Sequence, residues 1–211
     1  FIITLSFTSC NKTTKSVMLP TAPIPVEITP IILPDTSIKE ILTDTPSKII
    51  EEYSSWLIQK KSIGPVSIGM DIKTAHSILS NFERQTALAE DFGFSGGSPA
   101  YIYSNINEPI LAIVQTLYDR KVFAIIALSD QLKAENGIHP KTIVEDLLKF
   151  YPNMKFYLDP MNGWESSEDT QNHWDFIFIT DSKTRIGIYT NPEQSAFPKR
   201  TTAQCNWIIV R

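Results

Sequence analysis

Apolar positions recur at helical spacing from Pro46 onward. Ile49, Ile50, Tyr53, Trp56 and Leu57 share one face and predict an amphipathic helix. Thr45 can cap that helix, proline suits its first position, and Lys60-Lys61 suit its negative C-terminal end. Residues 63–68 read as a short strand with a glycine bend, after which Asp71 caps a second helix running through Leu79. A third helix is predicted over residues 141–151, following Gly137-Ile138-His139-Pro140. Strand patterns cover residues 101–104 and 154–158. Two hairpins are predicted, 110–118 with 121–129 around Asp119-Arg120, and 175–180 with 183–190 around Asp181-Ser182; Asp is a good turn former. Residues 121–129 are apolar on both faces, the mark of a central strand, and Trp207-Ile208-Ile209-Val210 forms a last strand.

These elements predict an α+β fold: a mostly antiparallel sheet with helices packed against it. The order glycine, helix, strand, hairpin occurs twice. Gly69 with Lys73-Thr74 matches Gly137 with Lys141-Thr142, so an internal duplication of a helix–strand–hairpin unit is one reading, against a chance match of a common order.

The first 45 residues show no such periodicity. Phe1 to Phe7 is an uncharged apolar run too short to span a bilayer, and small polar Thr8 and Ser9 precede Cys10. Phe7-Thr8-Ser9-Cys10 resembles the lipobox of bacterial lipoproteins, with Phe7 where that family usually has Leu. The resemblance implies a signal-peptide remnant over residues 1–9 and a lipid-modified Cys10 at the start of the mature chain. Beyond it, Pro20, Pro23, Pro25, Pro30 and Pro34 interrupt every apolar stretch, so neither helix nor central strand persists. Residues 10–45 therefore read as anchor and disordered tether, and residues 46–211 as a single globular domain. The Gly69-Met70-Asp71 step into a helix is similar to small envelope lipoproteins, including a stress-regulated family of unknown function and the small outer-membrane assembly lipoproteins. That likeness covers residues 63–79 and implies a setting, not a reaction: the bacterial envelope, with the outer membrane ranked above the inner.

A net charge of −4 removes the bulk electrostatic case for binding nucleic acid. Two cysteines, Cys10 and Cys205, are too few for a disulfide scaffold, and the sequence assigns Cys205 no role. His76, His139 and His173 lack the close His or Cys neighbours that local zinc motifs use, so neither metal nor cofactor is expected. Gly93-Phe94-Ser95-Gly96-Gly97 has the letters of a nucleophile elbow, but no buried strand pattern precedes it and no helix follows. Asp91-Phe92-Gly93 imitates the kinase metal-binding triplet without its companion motifs. The acidic stretch from Trp164 through Glu165, Ser166, Ser167 and Glu168 to Asp169 reads as a solvated turn rather than a calcium loop. Aromatic residues concentrate late in the chain, and Trp164, Trp174 and Trp207 are the candidate binding surface, although most aromatics serve the core. The expectation is a non-catalytic envelope lipoprotein that touches the bilayer through Cys10 and binds an envelope protein or cell-wall partner. The alternative is a periplasmic hydrolase whose site is assembled across the fold, with Ser95 as nucleophile.

Overall fold

The structure, a computed structural model, describes residues 53–191 and 193–211. Residues 1–45, with Cys10, the tether and its prolines, lie outside the described residues.

Two sheets carry the fold. The small one joins β1 (Leu57–Gln59), β2 (Ser62–Ile63), β3 (Val66–Ser67) and β8 (Lys133–Ala134) in the order β3-β2-β1-β8, with β1 parallel to β8 and antiparallel to β2. The large sheet is antiparallel throughout. Its first four strands are β4 (Glu83–Leu88), β5 (Pro99–Asn105), β6 (Glu108–Gln115) and β7 (Val122–Ala127). Its last four are β9 (Tyr157–Leu158), β10 (Glu165–Asp169), β11 (Trp174–Phe178) and β12 (Trp207–Val210). The spatial order is β4-β5-β6-β7-β12-β11-β10-β9, so two four-stranded meanders meet along β7 and β12.

This overturns the α+β expectation. The described residues form a mostly β, sandwich-like protein with two short α-helices, α1 (Ile72–Ile78) and α2 (Val144–Phe150), of seven residues each. The physical reason lies in long-range pairing. Leu57–Gln59, the end of the predicted first helix, is strand β1, because Ile58 pairs with both Ile63 and Ala134. Lys60-Lys61 caps no helix; it makes the β1–β2 turn, with Lys61 at φ 69°. The predicted third helix loses its first turn because the Lys141 and Val144 amides donate to the Cys205 and Ala203 carbonyls. Helix α1 follows the sequence pattern: the Asp71 side chain accepts from the Lys73 amide at 2.9 Å, and Leu79 closes the helix.

The second hairpin is also corrected. It joins β10 to β11 around residues 170–173, and the stretch read as a solvated acidic turn is β10 itself. Asp181 does make a turn, accepting from the Lys183 and Thr184 amides at 2.8 Å each, but no strand follows it. Glu165 holds that segment instead. Its fully buried carboxylate accepts from the Ile186 and Gly187 amides and from the Thr180 and Tyr189 hydroxyls, at 2.6–3.0 Å. The order that recurs is therefore a helix followed by four strands of the large sheet, not the expected helix–strand–hairpin unit.

Each face of the large sheet is buried by different means. On the inner face Tyr103, Ile113, Ile125, Phe176, Phe178 and Ile208 pack with α1, α2 and the small sheet. On the outer face Ala100, Ala112, Val114, Ala124, Ile126, Ile177, Trp207 and Ile209 form a second cluster, covered by Ala89 and Phe92. β7 is a central strand between β6 and β12, as its two apolar faces predict.

Candidate functional site

The outer face changes character from one edge to the other. Register places Ile102, Ala112, Ile126, Ile209, Asp175 and Glu168 in one row across six strands. The row is apolar over the first meander and ends in two directly opposed carboxylates on β11 and β10. Like charges in that position repel.

Two loops wall in the region where the row turns acidic. In the first, residues 89–92 form a single 3-10 turn closed by Gly93 at φ 87°, a left-handed conformation that suits glycine. Asp91 accepts from the Leu88 amide at 3.1 Å and Glu90 from the Gly97 amide at 2.8 Å, which ties the glycine loop back onto the turn. Phe92 is thereby held edge-on against Trp207 at 6.0 Å, and Phe94 against Phe123 at 5.8 Å. In the second loop the Asp159 amide donates to the Trp164 carbonyl, while Asp159 and Asn162 side chains accept from the Met161 and Trp164 amides. This sets Trp164 edge-to-face on Trp207, with centroids 5.1 Å apart.

Between the loops lies a cleft of about 210 Å³, lined by Phe92, Gly93, Phe94, Asp159, Asn162, Trp164, Glu165, Ser166, Asp175, Ile177, Ile209 and Arg211. Asp175 and Arg211 form an ion pair within it. Burial raises the Asp175 carboxyl above its usual range, the Arg211 guanidinium opposes that shift, and Glu168 adds to it.

The sequence-predicted residues fall in different places. Trp164 lines the cleft half-buried, and Trp207 is buried beside it. Trp174 lies on the inner face, where its indole N–H donates to the Gln59 carbonyl at 3.2 Å. Ser95 is exposed on the glycine loop, and among the described residues no hydrogen bond joins it to a histidine. His76 on α1 bonds the Tyr103 hydroxyl, with its pKa lowered by burial and by nearby Arg84 and Arg120. The His139 ring bonds the Pro140 carbonyl at 2.5 Å, and His173 sits in the β10–β11 turn at φ 57°. Cys205 is fully buried, and burial pushes its thiol up to about 12, so little reactive thiolate forms at neutral pH. Among the described residues, no group of three or more metal-ligating side chains gathers and no helix is long and apolar enough to cross a membrane.

Sequence reading missed Asp159, Asp175, Arg211, Phe92 and Phe94 as one site. Asp175 carried a signal, as a polar interruption on the alternate face of an otherwise apolar strand. The others meet only because the β7–β12 seam and the two loops bring distant segments together.

No family model matches the chain, and no curated protein matches it. Among solved structures, the chain is similar to the uncharacterized protein yfeY from Escherichia coli, with 12% identity and a TM-score of 0.51. The match covers 73% of this chain and 98% of that one, and at such identity it shows a shared fold alone.

Proposed function

We propose that the chain is a non-catalytic, lipid-anchored binding module of the bacterial cell envelope. Its contact surface is the outer face of the large sheet around Trp164, and its partner is an envelope protein or a cell-wall component. The observation that supports this most is the cleft itself. Aromatic side chains and an arginine, the residue types that dominate binding hot spots, surround a partly desolvated ion pair there. Phe123, Tyr157 and Met161, on the same face and on the loop carrying Trp164, leave large apolar area exposed. The lipobox-like Phe7-Thr8-Ser9-Cys10 supports the anchor and the outer-membrane setting, and the net charge of −4 argues against a nucleic-acid partner.

Site-directed photo-crosslinking in the host tests both parts. With a photoreactive residue at Asn162 beside the cleft, discrete adducts are expected. At exposed Glu145, on α2 behind the opposite face, none are expected. Trp164→Ala should abolish the Asn162 adducts, and Cys10→Ala should move the protein from the membrane to the soluble fraction. Equal crosslinking from both positions, or a soluble wild-type protein, would overturn the reading.

A further inference from the structure

We propose that the cleft beside Trp164 is a saccharide subsite that takes one ring of an uncharged glycan. The assignment rests on the binding-module reading above and names its ligand.

The charge balance argues against an anionic ligand. Asp159 and Asp175 line the cleft and Glu168 stands opposite Asp175, against the single cation Arg211, so a phosphate or carboxylate meets net repulsion. For a metal cation, the described residues gather no group of three or more ligating side chains. Arg211 already neutralises Asp175, and Asp159 already accepts from the Met161 amide. Left over is a mixed set of groups uncommitted among the described residues: the remaining guanidinium N–H donors, the second Asp175 oxygen, the Ser166 hydroxyl and the Asn162 amide nitrogen, whose carbonyl partner is engaged by the Trp164 amide. A carboxylate beside a guanidinium offers one acceptor and several donors to adjacent hydroxyls, each of which both donates and accepts.

The aromatic element points the same way. A pyranose ring has an apolar face of C–H groups and a polar rim, which matches an indole with polar groups around it. Trp164 is half-exposed and braced from below by Trp207. Size sets the ligand at one ring. The volume of about 210 Å³ falls below the roughly 300–1,000 Å³ of sites that enclose drug-sized molecules.

The test uses the full chain purified in detergent, titrated with chitotriose and with cellotriose by calorimetry and ligand-observed saturation-transfer NMR. At least one of the two is expected to bind with Kd of about 1 mM or tighter, as suits a single-ring contact. Trp164→Ala should weaken binding at least about tenfold, whereas Trp164→Phe, which keeps an aromatic plane, should stay within about threefold. The thermal transition of each variant establishes that it is folded. Inorganic phosphate and trilysine are the charged controls, and tighter binding of either would overturn the assignment. So would an absence of sugar binding up to about 10 mM, or sugar binding indifferent to Trp164→Ala. If sugars fail while the Asn162 crosslinks persist, the saccharide assignment falls and the binding-module reading stands; if both fail, both readings fall.

Discussion

Replacing Glu165 by alanine should cost about 3–5 kcal/mol of stability, because each buried donor left without an acceptor costs about 1–3 kcal/mol. The carboxylate is fully buried, and all its partners belong to the chain between Thr180 and Tyr189. Without it, two buried backbone amides are left with no acceptor and two half-buried hydroxyls lose theirs. Glu165→Gln should fall between, since its amide keeps one acceptor oxygen but turns a donor toward other donors. Chemical denaturation read by circular dichroism measures both. The network also predicts pH behaviour. Burial and the adjacent Glu165 carboxylate hold the Tyr189 hydroxyl well above its ordinary value. A group whose folded pKa is raised contributes stability that is complete below its unfolded value of 10.0 and is lost as pH rises beyond it. Wild-type stability should therefore decline above about pH 10, and Tyr189→Phe should lessen that decline, to which Tyr103 and Tyr151 also contribute. A Glu165→Ala protein as stable as wild type would remove the carboxylate from this role.

A comparable loss is expected at the seam. Ile126 on β7 and Ile209 on β12 are register partners, both buried on the outer face. Ile126→Ala should cost about 2–5 kcal/mol, the transfer energy plus the cavity left between two central strands. Because the sheet is continuous across this pair, the two meanders should still melt in one transition. Separate transitions by circular dichroism and by tryptophan fluorescence, read in a Trp56→Phe background so that Trp164, Trp174 and Trp207 report the second meander, would show that the halves are independent.

These sites explain how much was legible in the sequence. Local signals transmitted well. The Asp71 cap placed α1, the apolar run placed β7 at the centre, and residues 207–210 formed a strand. Elements whose residues answer to distant partners did not. β4, Glu-Arg-Gln-Thr-Ala-Leu, is a polar edge strand with a neighbour on one side only, so it lacks the apolar alternation that marks a strand. Glu165 points a carboxylate inward from the first position of β10, which reads as solvated until the segment that wraps it is known. The three tryptophans look like one cluster in the sequence, but alternation sends Trp174 inward and Trp207 outward from adjacent strands. Of the three, Trp164 lines the cleft, and its polar neighbours became visible only in three dimensions.

The mirrored strand order also sets a timetable. Within each meander every pairing joins consecutive strands, so each can form early through local contacts. The seam joins residues about eighty positions apart, and closing so long a loop is entropically costly. Until β12 arrives, β7 presents an unprotected edge with the sequence Val-Phe-Ala-Ile-Ile-Ala, uncharged and rich in β-formers, the profile of an aggregation-prone segment. In pulsed hydrogen exchange, amides bonded between β5 and β6 should gain protection before those between β7 and β12. A folding chain would then spend its most vulnerable interval waiting for β12 to cover that edge.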